Sequence, residues 1–287
     1  MKKAVSLLLS GALAFGLLAG CGGNGDTNKT PANNNAPTGQ TGSLEGTTIT
    51  IGASPAPHAE ILEVVKQVLA EQGITLEITE FDDYILPNQA VEDGSLDANY
   101  FQHITYLNNF NVEYGTHLVS AAEVHYEPFG IYGGKTASLE ELPDGAQIAV
   151  PNDTTNEGRA LLLLQDQGLI TLAEDAGLEA TKDDIVDNPH NYEIQELEAK
   201  LLTSTLQDVD VAVINGNYAI GAGLSVSDAL AVESADSQAA QAYVNVLAVK
   251  EGRENDPAIQ ALAAALCSQE VKDYIDQTYE GAVVAVF

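Results

Sequence analysis

From Gly46 onward the apolar positions fall into two alternating periods. TTITIGAS interleaves Thr with Ile at the spacing of a strand that buries one face. PHAEILEVVKQVLAEQG then carries apolar residues at helical spacing and closes on Gly73, a residue suited to a helix C-cap. ITLEITEF predicts a second strand. LDANYF and HLVSAAEVHYEPFGIYGG predict further extended segments, with a helix over ITYLNNFNVEYG between them. A second alternating block opens at AQIAVPND. It runs through helix GRALLLLQDQG, strand YEIQEL, helix ELEAKLLTSTL and strand VDVAVING. AYVNVLAVK predicts one more strand, and DPAIQALAAALCSQEVKDYIDQTY one long closing helix. Strand–helix alternation implies parallel sheets with helices on their faces. Two such blocks, with strands near 120–132 and 242–250 as crossing points, predict an α/β protein of two lobes joined by a two-strand hinge. Ligands of such sheets lie beyond the carboxyl ends of strands, beside helix N-termini. That singles out the loops at 53–58, 81–87, 100–106, 151–159 and 215–218.

The N-terminus follows a different pattern. Lys2 and Lys3 precede an apolar run from Ala4 to Leu18, then Leu18-Ala19-Gly20-Cys21. A basic start followed by so short an apolar run predicts a secretory signal over 1–20 rather than a spanning helix. Leu-Ala-Gly-Cys at its end resembles the bacterial lipobox, which implies cleavage before Cys21 and lipid on that residue. Residues 21–45 include an Asn/Gly/Thr/Pro-rich stretch too poor in apolar side chains to order itself, and are expected to form a tether. The folded part is then divided as 46–130 with 245–287 in lobe 1 and 131–244 in lobe 2. Besides Cys21 there is only Cys267, in the apolar stretch ALAAALCSQE, where a small buried hydrophobe is expected.

Acidic side chains outnumber basic ones 42 to 11. Loss of residues 1–20 removes two lysines and no acids, leaving a net charge of −33. Such a chain is not expected to bind nucleic acid or anionic lipid by charge.

Against this background the two arginines, Arg159 and Arg253, need reasons. Arg159 follows a Pro-Asn-Asp turn in PNDTTNEGRALLLL, and Arg presents a planar fork that grips a carboxylate bidentately. That carboxylate belongs either to a ligand or to a neighbouring acid of the chain. Tyr100, Phe101, His103 and Tyr106 crowd into NYFQHITYL, and Tyr84 ends an earlier strand in EFDDYILPN. Such a group forms either core or a wall for a polarizable apolar side chain such as a thioether. Asn215 and Asn217 follow a strand in VINGNYAI, where amides can read both ends of a zwitterion, and Asn245 interrupts the apolar AYVNVLAV. His58, His103, His117, His125 and His190 are scattered, with no metal-binding pair at helical spacing. Neither G-x-S-x-G, H-E-x-x-H nor a phosphate loop occurs, so no catalytic residue, metal ligand or cofactor is expected.

Taken in order, GASPAPHAEIL, EFDDYILPN, LDANYFQHITYL, LPDGAQIAVPNDTTNEGRALLLL, VAVINGNYA, YVN and GAVVAVF resemble the methionine-binding lipoprotein family. These are the substrate-binding components of methionine ABC importers, and the resemblance covers residues 47–287. It implies a periplasmic-binding-protein fold of type II, with a ligand cleft between two lobes. It further implies that Tyr84, Phe101, His103 and Tyr106 wall the side chain of L-methionine, or of its D-isomer or a derivative. Asn156 and Arg159 would hold the α-carboxylate, and Asn215 and Asn245 would bind the ammonium and carboxylate ends. The implied partners are the permease and ATPase of an importer, and the membrane through lipid on Cys21. A monomer on the extracytoplasmic face is expected. Thr105 and Thr154 stand where the family often has Pro. The alternatives are another small apolar amino acid, a methionine-containing dipeptide, or a surface lipoprotein with a metal-binding or adhesive role.

Overall fold

A computed structural model describes residues 43–234 and 241–287. The expected signal segment, Cys21 and all of the tether before Ser43 lie outside the described residues. In chain order the elements are β1 (Thr48–Ala53), α1 (Glu60–Ala70), β2 (Thr75–Glu80), α2 (Leu86–Glu92), β3 (Ala98–His103) and α3 (Ile104–Tyr114). Then come β4 (Leu118–Tyr126), β5 (Gly130–Gly133), β6 (Gln147–Pro151), α4 (Thr154–Asp166), β7 (Thr171–Leu172), β8 (Ile185–Asp187) and β9 (Glu193–Leu197). They are followed by α5 (Leu202–Thr205), β10 (Val211–Ile214), α6 (Gly216–Gly221) and β11 (Ala229–Val232). The last are β12 (Val244–Lys250), α7 (Pro257–Leu266), α8 (Gln269–Thr278) and β13 (Val284–Ala285).

Eleven of these strands form two sheets. One has the order β13-β4-β12-β3-β1-β2, the other β11-β5-β10-β6-β9. The parallel pairing expected from strand–helix alternation holds for β1 with β2 and β3, and for β6 with β9 and β10. It fails where the chain changes sheets: β12 runs antiparallel to β3 and β4, and β5 antiparallel to β10 and β11. Both sheets are therefore mixed.

The segment read as one strand near 120–132 is two, interrupted at Glu127-Pro128. Proline has no N–H for a ladder and restricts the residue before it, so the strand stops and the chain passes to the other sheet. The return passage lies between β11 and β12. The closing helix is also two helices. Ser268 is extended and its hydroxyl accepts from Val271 N at 3.3 Å, the signature of an N-cap starting a new helix. Cys267 ends α7 half-buried rather than in the core. The expected helix over ELEAKLLTSTL is reduced to a 3₁₀ turn and the four residues of α5.

Each sheet buries its own apolar face. Ile49 and Ile51 of β1 pack with Leu62 and Val65 of α1 and with Ile259 and Leu262 of α7. Ile148 and Val150 of β6 and Val211 and Val213 of β10 pack with Leu161 and Leu164 of α4. α4 sits close to the turn at 177–179, where a Cβ on Gly158 would lie 2.3 Å from Leu178 O. Only glycine allows that approach.

Candidate functional site

The loops at the strand ends converge on a small, tightly lined cavity. All eight expected residues line it: Tyr84, Phe101, His103 and Tyr106 from one sheet's side, Asn156, Arg159 and Asn215 from the other, and Asn245 at the start of β12. Gln102, Glu127, Gly216 and Asn217 complete the lining. Beyond Tyr84 and Tyr106 the cleft widens into an open groove bordered by Tyr114, Asp153, Lys200 and Tyr218.

Local folding aims each polar group. Asp153 caps α4, accepting from the backbone N and from Nδ2 of Asn156 at 3.1 and 2.8 Å. That leaves Asn156 Oδ1 as an acceptor, and it takes Asn215 Nδ2 at 2.8 Å and His103 Nε2 at 3.2 Å. His103 caps α3, and its Nδ1 accepts Tyr106 N at 3.0 Å, so Nε2 must carry the proton of a neutral ring. Burial and the nearby Arg159 lower the His103 pKa to about 3, in accord with that tautomer. Asn156 is thus an interlobe hub whose Oδ1 is taken up by protein partners. One hydrogen of its Nδ2 is left toward the cavity it lines.

Asn215 Oδ1 is different: it is buried and has no protein partner among the described residues. An orphaned buried acceptor is costly unless a ligand or water satisfies it. Asn245 Oδ1 accepts from His58 Nε2 at 3.1 Å, and its Nδ2 makes no protein hydrogen bond among the described residues.

Arg159 is almost wholly buried, and its fork grips a carboxylate of the chain itself. Nε donates to Glu233 at 3.1 Å and Nη2 to Glu233 Oε2 at 2.5 Å, while Nη2 also reaches Glu127 O at 2.8 Å. The pairing with a neighbouring acid is therefore present, and Arg159 also borders the cavity. Burial alone would lower its pKa, but the Glu233 carboxylate outweighs this and raises it. Glu233 also accepts Tyr126 OH, tying the segment after β11 to the end of β4.

Beneath the cavity lies a buried polar chain that sequence reasoning missed. Ser54 Oγ donates to His58 Nδ1 at 3.0 Å and Tyr100 OH to His125 Nδ1 at 2.5 Å. Both Nε2 atoms then point at Glu127 Oε1, 3.4 Å from His58 and 2.7 Å from His125. Burial lowers the two imidazoles to about 4 and about 3, and burial raises Glu127 against the opposing pull of His58 and Arg159. Two of the scattered histidines thus meet in space. Their ligating atoms and Glu127 Oε1 lie within 4.8 Å of one another, close enough for a divalent ion. His125 Nε2 already donates to Glu127 and His58 Nε2 to Asn245 Oδ1, so the geometry does not demand one.

The lobes meet over the cavity through aromatic hydroxyls. Tyr84 OH donates to Asn217 Oδ1 at 2.6 Å, and Tyr218 OH to Asp82 O at 2.9 Å. Thr105, which stands where the family often has Pro, donates to Ala242 O at 2.5 Å. Asn88, Asn99 and Gln102 form a buried amide triangle behind β3.

Two mixed α/β lobes enclosing a polar cavity with an aromatic wall define a solute-binding protein of the type II periplasmic-binding-protein class. The chain belongs to the NlpA lipoprotein family, whose model matches residues 49–287. It is 39% identical over 296 residues to the methionine-binding lipoprotein MetQ of Bacillus subtilis, an alignment covering 100% of this chain and 99% of the relative. A solved structure from Ruminococcus gnavus superposes with a TM-score of 0.83 at 57% identity, covering 84% of this chain and 100% of that one. A nutrient-binding protein of Burkholderia cenocepacia, solved bound to methionine, superposes with a TM-score of 0.80 at 43% identity, covering 83% and 100%. Among the described residues no helix is long and apolar enough to cross a membrane.

Proposed function

We propose that this protein captures methionine outside the cytoplasm and delivers it to the permease and ATPase of an ABC importer. The observation that carries the reading is the distribution of uncommitted polar atoms around the cavity. Arg159 Nη1 and Asn245 Nδ2 are donors left for a carboxylate. Asn215 Oδ1 is an orphaned acceptor and Glu127 an acidic one, together suited to an ammonium. Tyr84, Phe101 and Tyr106 offer the polarizable wall a thioether favours. The sequence features support lipid on Cys21, a tether before the lobes, lobe boundaries near 130 and 245, and residence on the extracytoplasmic face as a monomer.

The test is calorimetric titration of protein stripped of carried-over ligand by unfolding and refolding. The expected result is one-to-one binding of methionine, micromolar or tighter, with the D-isomer and other amino acids as comparators. Absence of heat with every amino acid, from protein shown to be folded, would refute the reading.

A further inference from the structure

Arg159 reaches the cavity with most of its fork already engaged. Nε and Nη2 are held by Glu233, Nη2 also by Glu127 O, and among the described residues Nη1 makes no hydrogen bond. The rings of Tyr126, Phe129 and Tyr243 stand 5.6, 4.8 and 4.3 Å from the guanidinium carbon, so it cannot swing away from this partner. Glu233, like the arginine it holds, is buried. The second carboxylate, Glu127, accepts from His125 Nε2, lies 3.4 Å from His58 Nε2 and borders the same cavity. His58, His103 and His125 each use one ring nitrogen as an acceptor, so they are neutral. One cation therefore faces two carboxylates.

We propose that Glu233 sets the charge class of the ligand. By cancelling the Arg159 charge while leaving Nη1 free, it makes the site read the α-carboxylate as a hydrogen-bond acceptor and not as an anion. With Glu127 uncompensated on the other side, the α-ammonium becomes the charge that the site requires. The ligand class is then primary α-amino compounds with a thioether-sized side chain, in which a neutral carbonyl can replace the carboxylate at small cost. Removing the ammonium is far more damaging. This rests on the methionine reading and sharpens it.

The experiment titrates the full chain, in detergent, with methionine, methioninamide and the acid left by deaminating methionine. For the wild type, methioninamide is expected to bind within roughly tenfold of methionine, since a charge-assisted hydrogen bond becomes a neutral one. The deaminated acid is expected to lose roughly a hundredfold or more, because Glu127 and Asn215 lose their cationic partner. In Glu233→Gln the amide oxygen still accepts from the arginine, but the charge of Arg159 is released. The preference for methionine over methioninamide should then rise by roughly tenfold or more. A general loosening of the fold would weaken both ligands alike and leave that ratio unchanged, which would overturn the proposal. Deaminated acid binding as tightly as methioninamide to the wild type would also overturn it, even where the Gln variant fails to fold. Wild type that binds none of these compounds would instead refute the methionine reading itself.

Discussion

Replacing Arg159 with alanine tests how much of this arginine is structural. The side chain is removed from a place where Glu233 is also buried, so water cannot take over as partner. After truncation the carboxylate retains Tyr126 OH and a long contact to Phe129 N at 3.5 Å. Breaking one side of a buried ion pair costs about 3–5 kcal/mol, because the surviving charge is left uncompensated. Loss of the ring contacts belongs to the same truncation and pushes the value toward the upper end, not beyond it. Arg159→Ala should therefore be clearly less stable than the wild type.

Urea unfolding followed by circular dichroism, without ligand, measures this through the midpoint at constant slope. A loss of about 4 kcal/mol lowers the midpoint by roughly 1.3–4 M, given slopes of about 1–3 kcal/mol/M. The second arm adds Glu233→Gln to the same variant. Neutralising the orphaned carboxylate should recover about 1–3 kcal/mol, the desolvation cost of an unsatisfied buried group. A loss below about 1 kcal/mol in the single variant would refute the reasoning. So would a double variant no more stable than the single one, since the defect would then not be the stranded charge.

Gly216→Ala would place a Cβ 2.7 Å from Glu127 Oε2, so methionine binding should weaken roughly tenfold or more by calorimetry while stability falls by about 1–3 kcal/mol. Tyr84→Phe removes the 2.6 Å interlobe bond to Asn217 but keeps the ring, so methionine affinity should fall by roughly fivefold and stability by about 1 kcal/mol. Burial raises the Glu157 carboxyl to about 7 from an ordinary value of 4.5, so the folded state binds that proton more tightly than the unfolded chain. Its contribution is complete below the ordinary value and is lost as pH rises toward about 7, by at most about 1.4 kcal/mol per unit. Unfolding midpoints measured across that window should fall less steeply in Glu157→Gln than in the wild type; parallel profiles would refute this.

The alternating periods made the two-lobed α/β organisation legible because each helix and strand buries a face of its own sheet. Pairing direction was not legible. β12 carries the same apolar pattern whether it lies parallel or antiparallel to β3, and its direction is set by where the chain re-enters the first sheet. Interruptions within apolar runs were equally hidden. Glu127-Pro128 and Cys267-Ser268 leave the hydrophobic pattern intact, and what ends the elements is the missing N–H of a proline and the capping hydroxyl of Ser268. Pro128 and Ser268 were available as local signals and were outweighed by periodicity.

The lining of the site was legible for a related reason. In so acidic a chain a lone arginine beside a turn, aromatics crowded at a strand end and an asparagine inside an apolar strand each violate the ordinary pattern, and all three mark the cavity. The partners of these residues could not be read the same way. Glu233 is one of 42 acids and lies 74 residues from Arg159, so nothing local distinguishes it from an exposed glutamate. His58, His125 and Glu127 come together only when the turn after β1 packs against the end of β4, a contact between distant segments. Composition exposes a residue that departs from its surroundings. It hides one whose role is to compensate for that departure, and here the compensating residues decide how much of the Arg159 charge a ligand meets.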